Sequence, residues 1–271
     1  MEKTKFVKYH VPCPTCNSSD AVSINEDGSA KCFSCSEFFP KFEEGKKVMI
    51  GKFIEPRTNN SFESRHGGTF APLTDRQISK STAEKYGVKA IYDSQGVIAQ
   101  HLYPYYNQSE LSGIKTRTIK DKRFSFEGTM QGTALFGQTL FKAGGKYLTI
   151  VEGECDAMAA YELMGSQWAV VSIKNGAQSA VKDIKENIEY VESFDNVILC
   201  FDKDSQGKDA AKRVANIIKP NKAKIMTLPE GFKDPNDMLR KNQHKSFTKC
   251  FWDAQVYTPS GIIRVSERTD S

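Results

Sequence analysis

Four cysteines inside the first 35 residues constrain this chain more than any other feature. They fall as Cys13-x2-Cys16 and Cys32-x2-Cys35, with 15 residues between the pairs. Each CxxC forms a tight turn with both thiolates on one side, and two such turns close a tetrahedron around one structural Zn²⁺. The competing reading, two redox CxxC pairs, lacks the βαβ setting such pairs occupy, while an iron–sulfur site would use the same four thiolates. A unit this small cannot build its own core, so the metal must supply most of its folding energy. His10 could replace one cysteine as a ligand, but it is expected to be only a neighbour of the site, because four thiolates already fill the shell. Structural zinc does no chemistry, so the unit acts through its surface. Asp27, Ser29, Lys31 and Phe33 lie on its hairpin arm, where they either read unpaired bases and phosphates or merely solvate the hairpin. Cys155, Cys200 and Cys250 are scattered and read as small, buried or neutral residues.

Composition divides the rest. Residues 40–68 loosen into FEEGKK, EPRTNN and SRHGG, a flexible linker with a random-coil reach of roughly 30 Å. Residues 69–255 are globular in texture, and 17 Phe with 10 Tyr exclude wholesale disorder. The longest strongly apolar run, Val197–Phe201, falls far short of the ~20 residues of a membrane span. The opening MEKTKFVKYH has charge but no apolar stretch of a secretory signal, so a soluble, intracellular protein is expected.

Within 69–145 the pattern is strand-rich. A capped helix is expected over Thr74–Tyr86, then strands over Val97–Tyr105 and Leu111–Phe126. The chain's net charge is +5, and between His101 and Lys146 seven basic residues stand against three acidic ones. Lys115, Arg117 and Lys122 belong to this basic field, a candidate phosphate-binding surface. From 146 to 255 the rhythm changes to strand–helix alternation. Strands are expected at Tyr147–Val151, Trp168–Ile173, Val197–Phe201 and Lys224–Leu228, with helices over about 156–164, 177–191 and 208–218. The fold class is therefore mixed α+β and α/β, with a parallel sheet and right-handed crossovers in the last part.

Acidic residues follow three of those strands: Glu152-Gly-Glu154-Cys-Asp156, Asp202-Lys-Asp204 and Asp234-Pro-Asn-Asp237. Parallel topology puts all three groups at one edge of the sheet, where ligands collect. Carboxylates gathered there repel one another unless cations bridge them, and hard oxygen ligands suit Mg²⁺ or Mn²⁺. Any single acid after a strand is commonly a helix N-cap or a loop charge, and Asp156 and Asp237 have that reading.

VEGECDAM after one strand and ILCFDKDSQG after a later one resemble the toprim domain, shared by DnaG-type primases, topoisomerases and some nucleases. With the paired CxxC start, LTDRQISK, GIKTRTIKDKRF, ALFGQTLF and KDPNDML, nearly the whole chain resembles the primase half of the bifunctional primase–helicases of short-tailed bacteriophages. The resemblance implies a zinc-binding template-recognition domain at 1–39, a basic subdomain at 69–145, a toprim catalytic subdomain at 146–255, and a tail at 256–271 like the segment leading into a helicase half. It implies that Glu152 and Asp202 bind one Mg²⁺, that Asp202 and Asp234 share a second, and that Asp204 belongs to the same catalytic cluster. Lys115 and Lys122 would approach nucleotide and template, and Asp27 and Ser29 would take part in template recognition. One family member has His in place of Ser29, so no template sequence carries over. No G-x-x-x-x-G-K-[ST] phosphate loop occurs in these 271 residues.

What the resemblance implies is synthesis of short RNA primers on single-stranded DNA from ribonucleoside triphosphates, in the cytoplasm of an infected bacterium. The implied partners are a replicative helicase and a DNA polymerase, without a membrane. Two readings share the motifs: a metal-dependent toprim nuclease, and a non-catalytic zinc-ribbon DNA-binding module. The cysteine spacing itself generates a test. Elemental analysis should find one zinc per chain, and Cys32→Ser should release it and unfold residues 1–39 while the remainder stays folded; protein purified without zinc would refute this.

Overall fold

The computed structural model describes residues 6–13, 20–33, 38–39, 41–42 and 67–259, which belong to two compact units, Met1–Thr58 and Asn59–Ser271. In the first unit, β1 (Phe6–Val11), β2 (Val22–Asn25), β3 (Ala30–Cys32) and β4 (Phe38–Phe39) form an antiparallel sheet in that order. Gly28 makes the β2–β3 turn possible, since its φ of 80° is left-handed and costs glycine little. Cys13 and Cys32 lie in a small core with Val11, Val22 and Ala30. Cys16 and Cys35 lie outside the described residues, as do most of the expected linker and the tail from 260.

The second unit begins with α1 (Lys80–Lys85) and an antiparallel meander of β5 (Lys89–Tyr92), β6 (Ile98–Asn107), β7 (Glu110–Thr118) and β8 (Phe124–Gly128). The helix is shorter than Thr74–Tyr86 because residues ahead of it turn tightly. Leu73 bridges Ile78, and Ser79 then caps the helix by accepting from the Thr82 amide. The expected strand Leu111–Phe126 is two strands, split by a turn in which Lys122 adopts φ 55°.

The remainder is β9 (Tyr147–Val151), α2 (Glu154–Leu163), β10 (Ala169–Ser172), α3 (Ala180–Glu186), α4 (Ile188–Glu192), β11 (Asn196–Cys200), α5 (Ser205–Ala215), β12 (Ala223–Ile225), α6 (Pro235–Arg240), α7 (His244–Trp252) and β13 (Gln255–Val256). Its sheet runs β10-β9-β11-β12-β13. The first four strands are parallel, and β13 closes one edge antiparallel to β12. Alternate residues feed two cores. Leu148, Ile150, Val171, Val197 and Leu199 meet α3 and α5 on one face, while Val151, Val170, Ile198 and Cys200 meet α2, α6 and α7 on the other. The helix expected over 177–191 is two, because the chain leaves helical geometry at Asn187 (φ −121°, ψ 21°).

The second core is shared with the meander, so 69–145 and 146–255 are parts of one unit. Tyr103, Tyr105 and Phe136 pack in it beside Val151 and Met158. The Tyr86 hydroxyl donates to the Val170 carbonyl at 2.9 Å, and Phe136 bridges Ser172 at the end of β10. Among the described residues, no helix is long and apolar enough to cross a membrane. Phe136 is 1% exposed and stacks on Tyr86 at 5.5 Å, with Tyr103 and Tyr105 close by. Phe136→Ala should therefore cost about 3–5 kcal/mol in denaturant unfolding, and a loss under about 1 kcal/mol would show that the two parts are not coupled through this ring.

Candidate active site

The strand order reverses at β9: the chain goes to β10 on one side and returns to β11 on the other. Such a switch leaves a crevice at the carboxyl ends of the two middle strands. Val151 and Cys200, the last residues of β9 and β11, are paired in register, so the two chains leave the sheet level with each other. Glu152 follows at once and Asp202 after one residue, Phe201. The Asp202 amide donates to Glu152 Oε1 at 2.9 Å. Gly207 closes over this contact, and a Cβ there would overlap the Asp202 carbonyl and lie 2.6 Å from Glu152 Oε1.

The remaining carboxylates come from helix starts. Asp204 caps α5 by accepting from the Gly207 amide at 2.9 Å. Asp234 caps α6 by accepting from the Asp237 amide at 2.8 Å. Asp156 accepts from the Asn236 amide at 3.3 Å, and Lys233 Nζ stands 3.0 Å from Asp202 Oδ2. Burial, reinforced by the Asp202 charge, pushes Glu152 up to about 7. Burial and then the charges of Asp234 and Asp202 raise Asp156 well above the usual carboxylate range. Asp234 is raised by burial first and by the nearby Asp237 and Asp202 charges. The site is thus short of positive charge and rich in hard oxygens, which fits divalent cations such as Mg²⁺. Among the described residues, no three His, Cys, Asp or Glu side chains are arranged to hold one metal ion. Each carboxylate here has instead taken a local partner, through a backbone amide or Lys233.

Other sequence expectations fare differently. Asp156 is not the cap of α2, a place held by Gly153; it faces Asp202 and Asp234 instead. The caps are Asp204 and Asp234 themselves. Lys115 points inward: its Nζ donates to Glu154 Oε1 at 2.7 Å and to the Lys174 carbonyl at 2.9 Å. Lys122 is exposed in the β7–β8 turn. In the first unit Asp27 is exposed, but Ser29 is buried. Its hydroxyl donates to Asp27 Oδ1 at 2.7 Å and accepts from Asn25 Nδ2 at 2.9 Å, so Ser29 shapes the turn rather than presenting a free hydroxyl.

Glu154, expected with the other acids at the sheet edge, is buried and also accepts from the Tyr105 hydroxyl at 2.6 Å. Other contacts escaped sequence reasoning. Arg76 Nη1 donates to Asn236 Oδ1 at 3.3 Å, and Asn236 Nδ2 returns a bond to the Arg76 carbonyl at 2.9 Å. That brings a cation to the rim of the acidic cluster, and the segment LTDRQISK was the available signal. Beside it, His101 joins Asp75 and the Tyr103 hydroxyl, each at 3.0 Å.

Residues 149–239, from β9 into α6, match the family model described as Toprim-like. The chain is 32% identical to a DNA helicase/primase of Enterobacteria phage T3 over 97% of its own length, and it spans 46% of that relative. It also superimposes on the crystal structure of the primase fragment of the bacteriophage T7 primase-helicase protein. That match has a TM-score of 0.63 and 30% identity and covers 90% of this chain and 99% of the fragment. The chain belongs to the phage primase–helicase family. It corresponds to the primase part, since it spans about half of the T3 relative and nearly all of the T7 fragment. A primase domain of T7, solved with the phage's lagging-strand DNA polymerase and bound to an RNA/DNA hybrid and dTTP, matches at 32% identity and a TM-score of 0.64, over 70% of this chain and 94% of that one. The DnaG primase catalytic domain shares the fold at 16% identity and a TM-score of 0.51.

The crowding of carboxylates has a measurable sign. A carboxyl whose folded-state value is raised stabilises most below its unfolded value, 4.5 for Glu152, and that stability is lost as pH climbs through about 7. The melting temperature of metal-free protein should fall from about pH 5 to about pH 8, and Mg²⁺ should restore more of it at the higher pH. A flat profile across that window would mean that Glu152 is already ionised in the folded chain.

Proposed function

We propose that this chain synthesises short RNA primers on single-stranded DNA from ribonucleoside triphosphates, as the primase part of a phage replication protein. The observation that carries the reading is the meeting of Glu152, Asp202 and Asp234 at the switch point of the parallel sheet, in a chain of this family. Glu152, Asp156, Asp202, Asp204 and Asp234 are the residues that would hold two Mg²⁺ ions. Bound there, Mg²⁺ would lower the pKa of an attacking 3′-hydroxyl and neutralise a departing pyrophosphate.

The chain's own cations supply the rest. Lys233 beside Asp202 and Arg76 beside Asn236 stand where phosphate oxygens would approach the cluster. Arg117 and Lys122 extend a positive surface along the meander for the nucleotide or the template backbone. Lys115 acts from within by holding Glu154, which fixes the first turn of α2 beneath the site. The cysteine unit, with zinc on Cys13, Cys16, Cys32 and Cys35, would read the template, with exposed Asp27, Lys31 and Phe33 at its surface. A replicative helicase and a DNA polymerase are the expected partners, in the cytoplasm of an infected bacterium.

Incubating the protein with single-stranded templates of varied sequence, four ribonucleoside triphosphates and Mg²⁺ should produce short RNA and reveal the preferred template. Asp202→Asn keeps shape but removes charge, so even dinucleotide synthesis should fall at least about a hundredfold. Folding should be unharmed, because one repelling charge has gone. Normal synthesis by Asp202→Asn would refute two-metal chemistry at this cluster. Metal-dependent cutting of the template without triphosphates would identify a nuclease instead.

A further inference from the structure

A buried histidine of the meander has no place in the chemistry above. His101, on β6, is fully removed from solvent, yet both of its ring nitrogens are engaged. Nδ1 meets the Tyr103 hydroxyl and Nε2 meets Asp75 Oδ1, each at 3.0 Å. The Tyr103 hydroxyl lies in turn 3.2 Å from Cys155 Sγ, in the first turn of α2. One end of this row is therefore anchored in the core that Tyr103 and Cys155 share.

The other end is a carboxylate with two partners. Asp75 gives Oδ1 to His101 and Oδ2 to Arg76 Nε at 3.5 Å. Burial works to raise Asp75, but His101 and Arg76 hold its carboxyl below the usual range, so it is an anion at neutral pH. Arg76 Nη1 goes on to Asn236 Oδ1 at 3.3 Å, and the Asn236 backbone amide holds Asp156 at 3.3 Å. A guanidinium carries five N–H donors in a rigid fork, so these two contacts leave donors over for a phosphate.

The place of Arg76 is a precarious one. Asp156 and Asp234 are carboxylates raised by burial and by neighbouring charges, and Asp156 already feels the Arg76 charge. An unrestrained guanidinium would settle on them, because an opposite charge relieves such crowding, and it would then stand where a metal cation belongs. A counter-anion outside the cluster prevents this, provided that the anion itself cannot swing. The buried ring of His101 fixes Asp75 in that way.

We propose that Asp75 and His101 are positioning residues: His101 locks the Asp75 carboxylate, and Asp75 holds the Arg76 guanidinium at the rim of the cluster, off Asp156 and Asp234. The proposal goes beyond the primase reading, which gives Arg76 its place but not what keeps it there, and rests on that reading only for the phosphate that Arg76 meets. An ordinary core histidine would make the same contacts without acting through Arg76, so a double-mutant cycle separates the two roles.

The full chain is compared as wild type, Asp75→Ala, Arg76→Ala and the double variant, with His101→Gln and His101→Leu beside them. Two constants are read for each: the affinity for Mg²⁺ alone, from the shift in melting temperature, and KM for ribonucleoside triphosphates in dinucleotide synthesis. Asp75→Ala should weaken Mg²⁺ binding and raise KM, each about tenfold, a coupling ordinary for residues in contact. In the Arg76→Ala background the same change should move neither constant by more than about twofold. His101→Gln keeps an N–H for Asp75 and should match wild type, whereas His101→Leu should reproduce Asp75→Ala. The Asp75 side chain is 26% exposed, so its variants should fold even if His101→Leu does not, and the cycle stands on them. An equal effect of Asp75→Ala with and without Arg76 would overturn the proposal, since Asp75 would then act by its own charge or through the fold. Wild-type constants in a folded His101→Leu would overturn the role of His101. If wild type makes no RNA yet the Mg²⁺ cycle shows the coupling, the primase reading fails and the positioning stands.

Discussion

Like charges crowded at the ends of β9 and β11 are the constraint around which the second unit is arranged. Glu152 and Asp202 come together because register pairs the last residues of the two strands, and Asp156, Asp204 and Asp234 are brought near by helix starts. Left alone, such a cluster would repel itself apart. The fold offsets this with donors that cannot move: the Asp202 amide for Glu152, the Gly207 amide for Asp204, and the first amides of α6 for Asp156 and Asp234. Helix N-termini favour negative charge at just these positions. The raised values of Glu152, Asp156 and Asp234 show that the compensation is incomplete. The proposed Mg²⁺ ions would complete that balance.

The meander is tied to this cluster by polar and apolar links at once. Phe136, Tyr103 and Tyr105 enter the core against Met158 of α2, and Tyr105 and Lys115 both end on Glu154. Lys174, nearly buried after β10, meets Glu186 at 2.8 Å and lends its carbonyl to Lys115. A positive sheet is thereby held against the negative edge of another sheet. A phosphate-bearing substrate, as proposed above, would meet this arrangement with little reorganisation of the protein.

Much of this was legible in the sequence, for physical reasons that differ from element to element. Strands buried on both faces read as continuous apolar runs, so Tyr147–Val151 and Val197–Phe201 stood out, and the acids after them could be placed at one edge. Helix limits were less visible because single side chains decide them: Ser79 delays α1, Asp204 starts α5 early, and Asn187 divides the helix expected over 177–191. Charge counting placed Lys115 in a phosphate-binding field, but only packing reveals that it faces Glu154. Asp156 resembled an ordinary helix-start acid until the position of α6 put Asp234 beside it. Arg76 and Asn236 meet across 160 residues of chain, and no local pattern encodes such a contact.

The edges of the parallel sheet matter in another respect. An open strand edge is a template on which other chains can add themselves and grow into aggregates. Here β13 contributes only two residues at one end of the sheet, and at the other end β10 is four residues long, with Ser172 bridged by Phe136. Neither border offers a ladder long enough to nucleate such growth. The central sheet therefore presents little free edge on which strands of neighbouring chains could add.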